Sequence, residues 1–253
     1  MATATTEAPG PSLGSFHPAV AEWFRRTFPG GPTEPQRAAW PLIATGRDVL
    51  VASPTGTGKT LTGFLVAIDA AFRRPAPGPP RLFPAPVAGP PEADADAGGL
   101  EADARLPEVV YVSPLRALAA DVHENLQLPL AGIRQVAEEL GMEAPALTVG
   151  MRTGDTSAAE RAAMRRRPPD LLVTTPESLY LLLTAPGSRA MLRRVRTVVV
   201  DEVHTLARDK RGAHLALSLE RLAHVAAEGG GDLQRIGLSA TQRPLELVGR
   251  LLA

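Results

Sequence analysis

Ser53-Pro54-Thr55-Gly56-Thr57-Gly58-Lys59-Thr60 follows the apolar run Val49-Leu50-Val51-Ala52 and precedes a helical apolar pattern from Leu61 to Ala71. Strand, glycine-rich loop and helix in that order make a cradle for phosphate, because loop N–H groups and a helix N-terminus converge on one point. In such a cradle Lys59 reaches the β- and γ-phosphates and the Thr60 hydroxyl sits on Mg2+. Thr55, Gly56, Thr57 and Gly58 supply the turn, and Ser53 stands where glycine is usual. A residue that small still permits the tight bend. The stretch points to a nucleoside triphosphate. The competing reading, a Gly/Thr-rich loop with a chance Lys-Thr, leaves the flanking strand and helix unexplained. Lysine occurs only at positions 59 and 210, so one inside this loop is not a product of composition.

Outward from the loop, short apolar runs alternate with amphipathic stretches. Helices are predicted over 18–28, 34–44, 59–72, 157–166, 176–183 and 212–226, and from Pro244 onward. A longer helical stretch, 115–140, is expected to kink or split at Pro129. Strands are predicted over 48–52, 109–112, 147–151, 171–174, 197–201 and 234–239. This is the pattern of a parallel sheet covered by helices on both faces. Residues 1–14 and the Pro/Gly/Ala-rich, then acidic, stretch 75–106 have no apolar periodicity, and too little apolar surface to offset the entropy of ordering. The first is expected to be a disordered tail. The second is expected to be a disordered insertion, because the α/β pattern before it resumes after it. The ordered unit is then one domain, 15–253.

Composition removes several classes. There is no cysteine, hence no disulfide framework or cysteine metal site. No run approaches the ~18 apolar residues of a membrane helix, and the N-terminus lacks a basic region followed by an apolar one. Cytoplasm is the expected location and no membrane partner is expected. Net charge is zero, so there is no global basic footprint for nucleic acid. Outside the acidic stretch 75–106, 25 basic residues face 22 acidic ones, a mild bias toward polyanions.

Polar segments gather at the carboxyl ends of the predicted strands, where ligands of open parallel sheets sit. Besides the loop, these are Ser113-Pro114-Leu115-Arg116, Thr153-Gly154-Asp155-Thr156, Thr174-Thr175-Pro176-Glu177, Asp201-Glu202-Val203-His204 and Ser239-Ala240-Thr241. Asp201 is the expected Mg2+ partner opposite Thr60. Glu202 is placed to orient or deprotonate the water that attacks the γ-phosphate. Two acids after a strand also read as a helix cap, and the phosphate loop is what favours the chemical role. Taken alone, His204 reads as a core or capping histidine, and Ser239 and Thr241 as a strand-end turn. Arg165-Arg166-Arg167 reads as a solvated helix end, with contact to a backbone phosphate as the alternative.

In this order the segments, with Pro35-Gln36 ahead of them, resemble the first motor domain of superfamily 2 helicases of the DEAD/DEAH-box group. The wording is similar to the large helicase-related (Lhr) family, through Phe16-His17-Pro18-Ala19-Val20, Tyr111-Val112-Ser113-Pro114-Leu115-Arg116-Ala117-Leu118, Arg152-Thr153-Gly154-Asp155-Thr156 and, most specifically, Asp201 to His204 leading to Lys210-Arg211-Gly212-Ala213-His214-Leu215-Ala216-Leu217. The resemblance implies a RecA-like P-loop NTPase fold, with ATP and Mg2+ as cofactors. It implies that Gln36 reads adenine. It makes Lys59 and Thr60 the phosphate and metal residues, and Asp201 and Glu202 the metal and hydrolysis pair. His204, Ser239 and Thr241 become the elements coupling ATP state to strand movement. Pro114, Arg116, Thr153, Gly154, Thr175 and Pro176 become the groups that track a single-stranded backbone, DNA favoured and RNA open. Such motors also need a second RecA-like domain that supplies arginine fingers. The sequence ends twelve residues after Thr241, so these 253 residues are expected to be a piece that binds nucleotide weakly, hydrolyses little and does not unwind alone. Two alternatives stay open: another phosphate-loop enzyme such as a kinase or switch GTPase, and a non-catalytic module that binds nucleic acid or a partner.

Overall fold

Six short strands, rich in valine and leucine, pair side by side and all run in the same direction. In chain order they are β1 (Val49–Ala52), β2 (Val109–Val112), β3 (Val149–Arg152), β4 (Leu171–Thr174), β5 (Thr197–Val200) and β6 (Gln234–Ser239). Across the sheet the order is β1-β6-β5-β2-β4-β3. The computed structural model describes residues 13–54, 56, 58–73, 106–114, 123–206, 210–241 and 245–252.

Alternation along each strand sorts the core into two layers. Val109 and Tyr111 of β2, Val173 of β4, Val199 of β5 and Ile236 and Leu238 of β6 face one layer. It is filled by α1 (Pro18–Thr27), α2 (Glu34–Ala44), α3 (Lys59–Phe72) and α4 (Leu128–Glu139). Val110, Val112, Leu172, Val198 and Val200 face the other. That layer is filled by α6 (Pro176–Thr184), a 3-10 turn at Ala190–Arg194, α9 (Lys210–Glu228) and α10 (Leu245–Leu252). Shorter helices are α5 (Ala158–Arg166), α7 (Pro186–Arg189) and α8 (Val203–Leu206). Central strands β2 and β4 are buried throughout, whereas β3, at the edge, is half-buried throughout. No helix among the described residues is long and apolar enough to cross a membrane.

Where the boundaries move from expectation, local chemistry accounts for it. The third strand begins at Val149 because the Asp170 carboxylate takes both the N–H and the hydroxyl of Thr148, at 2.9 and 2.8 Å. The helical stretch divides just before Pro129. The proline occupies the first turn of α4, where its missing N–H has no partner to lose, and a π-turn over His123–Gln127 precedes it. The expected stretch 115–122 lies outside the described residues. Leu13 and Gly14, read with the tail, belong to a 3-10 turn at Leu13–Ser15. Leu106, read with the insertion, packs on the second core layer. The rest of both segments lies outside the described residues.

Candidate nucleotide and nucleic-acid site

All six strands are parallel, so their carboxyl ends form one rim, and the sheet order divides that rim in two. The β1, β6 and β5 ends carry the phosphate loop, Ser239-Ala240-Thr241 and Asp201 to His204. The adjoining β2, β4 and β3 ends carry Pro114, Thr175-Pro176 and Thr153-Gly154. Pairing runs one residue past the strands and fixes the loops to each other. Ser53 N–H donates to Ser239 O at 3.1 Å, Ser113 N–H to Thr174 O at 3.0 Å and Asp201 N–H to Val112 O at 2.8 Å.

In the loop, Gly56 and Gly58 adopt φ of +81° and +76°, the left-handed region that glycine enters without strain. A Cβ on Gly58 would come within 2.9 Å of the Gln36 amide nitrogen. Lys59 is 6% exposed, and its ammonium donates to Ser53 O at 2.5 Å and Pro54 O at 2.7 Å. Those acceptors are carbonyls of its own loop, and among the described residues the cation has no carboxylate partner. Thr55 and Thr57 lie outside the described residues.

Gln36 is buried at the start of α2. Its carbonyl accepts from Thr33 N–H at 2.9 Å, closing a capping box, and its amide donates to Gly58 O at 3.3 Å. The same side chain therefore starts a helix and ties that helix to the phosphate loop. Sequence reading missed this double use.

Thr60 and Asp201, far apart in the chain, meet: Oγ1 lies 3.5 Å from Oδ2. The Asp201 carboxylate also accepts from Glu202 N–H at 2.7 Å and from the Tyr111 hydroxyl. Two hard oxygen donors facing each other suit a divalent cation that keeps most of its water or takes phosphate oxygens. Among the described residues no group of three or more His, Asp or Glu could enclose a metal unaided, which fits a metal brought with its phosphates.

Glu202 has φ +49°, and among described residues it alone of the non-glycines has positive φ. Outliers of this kind persist only where neighbours fix them, and they gather at functional sites. Here the fixing neighbours are the bond to Asp201 and His204. Ala240 N–H donates to His204 Nδ1 at 3.1 Å, so the ring proton sits on Nε2, which faces Glu202 Oε2 at 3.3 Å. One imidazole thus bridges the acid after β5 and the backbone after β6. Ser239 is fully buried and bonds Ala240 O at 2.9 Å, and Thr241 is exposed beside it.

On the other half of the rim, some of the expected residues also hold local structure. The Thr175 hydroxyl caps α6 by accepting from Ser178 N–H at 3.3 Å, and Pro176 is buried in the first turn. Thr153 N–H is taken by the Thr156 hydroxyl at 2.9 Å. Gly154 is exposed and Pro114 half-buried. Arg116 lies outside the described residues.

Tyr111 is a site residue that sequence reading passed over. It is buried at the centre of β2 and stacks on Phe64 of α3 with centroids 4.3 Å apart, so its hydroxyl is held against Asp201. The one available signal is a phenol among the valines of Val109-Val110-Tyr111-Val112. Tyr111→Phe is expected to raise the Mg2+ concentration needed for nucleotide binding about fivefold, as one hydrogen bond to a charged acceptor disappears. Titrating Mg2+ against a fluorescent nucleotide measures it, and an unchanged requirement would show that the phenol only packs.

The DEAD/DEAH box helicase family profile matches residues 33–248. A curated relative, the Lhr helicase and probable uracil glycosylase of Mycolicibacterium smegmatis, is 47% identical over 252 residues, 98% of this chain and 14% of its own. The ATP-dependent helicase Lhr-Core of Methanothermobacter thermautotrophicus is 48% identical over 237 residues, 94% of this chain and 24% of its own. The chain thus spans between about a seventh and a quarter of these relatives. A solved structure of the Mycobacterium smegmatis helicase Lhr, bound to ssDNA and AMP-PNP, superposes with a TM-score of 0.77 at 48% identity, covering 95% of this chain and 27% of that one. The fold is RecA-like.

Proposed function

Because the chain belongs to the DEAD/DEAH box helicase family, we propose that it is the ATP-binding first motor domain of an Lhr-like helicase. In the whole protein, hydrolysis at its nucleotide rim drives movement along a single strand, DNA being the favoured polymer. The observation that carries this reading is the contact of Thr60 with Asp201 beside buried Lys59.

In this reading Lys59 exchanges its loop carbonyls for phosphate oxygens, and the loop N–H groups hold the rest of the triphosphate. Thr60 and Asp201 are the residues that would hold Mg2+, which supplies charge neutralisation at the phosphates when bound. Glu202 orients and deprotonates the attacking water, its carboxylate aimed by His204 Nε2–H. Movement of Glu202 is then felt at Ala240 through one ring, which makes His204, Ser239 and Thr241 the coupling elements. Gln36, bonded to Gly58 O, links adenine recognition to loop position. Pro114, Arg116, Thr153, Gly154, Thr175 and Pro176 form the polymer side, where hydroxyls and N–H groups contact phosphates without reading bases.

The test is a titration of the 253-residue chain with labelled single-stranded DNA and RNA of one sequence, with and without AMP-PNP and Mg2+. The analogue is expected to change DNA affinity several-fold, and His204→Ala to remove that change while leaving both ligands bound. Binding of the two ligands without mutual influence would point to a passive module instead of a motor half. A larger response with RNA would reassign the polymer.

A further inference from the structure

Several arginines among the described residues meet a carboxylate. Arg25 and Arg26 pair with Glu22, Arg73 with Asp69, Arg189 with Glu228, Arg211 with Glu177 and Arg235 with Glu220. Three others do not. Arg152, at the end of edge strand β3, and Arg161 and Arg165, one turn apart on α5, line a cavity of ≈ 360 Å³ with no acidic residue among its walls. None of the three forms an ion pair among the described residues. One terminal nitrogen of Arg152 is buried with no hydrogen-bond acceptor. Arg161 spends its guanidinium on backbone carbonyls, Thr156 O at 2.8 Å and Gly154 O at 3.5 Å, which leaves its charge uncancelled.

A solvated helix end accounts for basic residues at the close of α5, where the helix dipole favours them. It does not account for a half-buried guanidinium reaching in from a different element. Burial, then the charges of Arg161 and Arg165, push Arg152 below its ordinary pKa. Like charges four apart on a helix also repel. The arrangement stores electrostatic cost that an anion would release.

We propose that this cavity is a phosphoryl-binding site, distinct from the nucleotide loop. The tetrahedral oxygens of a phosphate, three free in a monoester and two in a backbone diester, spread out of one plane and can meet guanidinium forks arriving from two elements, whereas a carboxylate offers two oxygens in one plane. The volume exceeds that of a bare phosphate, and Met164, Leu182 and Met191 add apolar wall, so an attached sugar or base has room. Arg161 holds the Gly154 loop, which joins the cavity to the polymer half of the rim. The phosphate can therefore come from the backbone of a bound strand or from a small phosphorylated molecule. The backbone source rests on the proposed function, and the site itself does not.

The experiment reads the guanidinium resonances of nitrogen-15-labelled chain while inorganic phosphate, and separately a short oligothymidylate, is added. Saturable shifts of the Arg152 and Arg161 signals are expected with inorganic phosphate. Arg165→Gln is expected to weaken that binding about tenfold, the effect of one charge-assisted hydrogen bond. In the unliganded chain the same variant should melt higher, because a repulsion is gone, whereas an arginine kept for structure would melt lower on removal. If the oligonucleotide moves the same signals, the backbone is the source. If only inorganic phosphate moves them, the ligand is a small phosphorylated molecule, and a separate anisotropy measurement of strand binding then judges the motor reading by itself. Signals that move with neither probe, or that move equally in Arg165→Gln and Arg152→Gln, would overturn the site.

Discussion

Lys59→Ala is expected to lower the affinity of this chain for ATP about a hundredfold, the scale of losing two charge-assisted hydrogen bonds to phosphate. In the structure the ammonium is buried and held by Ser53 O and Pro54 O, at 2.5 and 2.7 Å. Those bonds hold the loop to its own lysine, which among the described residues has no counter-charge. A triphosphate supplies that counter-charge, so the lysine gains far more from ligand than from its loop. Alanine removes the gain and also takes the donor from two carbonyls, Pro54 O in an exposed residue and Ser53 O in a buried one. Losing the buried bond should cost about 1 kcal/mol of stability, well short of the loss in binding. Lys59→Arg keeps the charge but not the shape, and its planar fork cannot enter a cradle built around a point charge, so it should rescue only a small part. Displacement of a fluorescent ATP analogue gives all three affinities. Equal binding by the alanine variant would mean that the cradle is closed to phosphate and that the loop is only a turn.

How much of this was legible in the sequence depends on range. The phosphate loop could be read because its parts are contiguous: a strand ends, glycines take left-handed conformations, a helix begins. The buried strands β2, β4, β5 and β6 and helix α2 were legible for the same reason, as short apolar runs and an amphipathic stretch between them. Other features arise from pairs distant in the chain and leave no local mark. Tyr111 reaches Asp201 across 90 positions. Arg152 meets Arg161 and Arg165 only because β3 lies at the sheet edge and α5 folds back over it. The one-turn helices α7 and α8 are too short to show a period. Strand-end hydroxyls were legible as polar, yet their capping bonds, as at Thr175, were not. The same residue types serve a helix start and a backbone phosphate.

The bond from Ala240 N–H to His204 belongs to this second class. It joins β6 to the acid pair after β5, and neighbouring strands make it possible. Residues separated by 36 positions behave as one polar unit because the sheet order sets β5 beside β6. Motifs that read as separate words along the chain are thus physically one network. A change at any member is transmitted through hydrogen bonds rather than through distance.

Gly63→Val is expected to destabilise the chain by about 3 kcal/mol, the upper end for forcing volume into a packed layer, and to weaken nucleotide binding with it. Glycine inside a helix is normally a liability of about 1 kcal/mol against alanine. At Gly63 the reason for it is contact: a Cβ would lie 3.1 Å from Val199 Cγ1 and 3.8 Å from Leu238 Cδ1. Helix α3 is that close to β5 and β6. A branched side chain must lift the helix off the sheet, and α3 opens with Lys59 and Thr60, so the lift pulls Thr60 away from Asp201. Stability and affinity should fall together. Gly249 in α10 provides the contrast, since a Cβ there meets nothing within 4 Å. Gly249→Ala should raise stability by about 1 kcal/mol through helix propensity alone and leave nucleotide affinity untouched. Urea midpoints and nucleotide titrations of the two variants separate close packing from propensity. If Gly63→Val unfolds at the wild-type midpoint, α3 does not rest on the sheet as described, and the register between phosphate loop and acid pair loses its support.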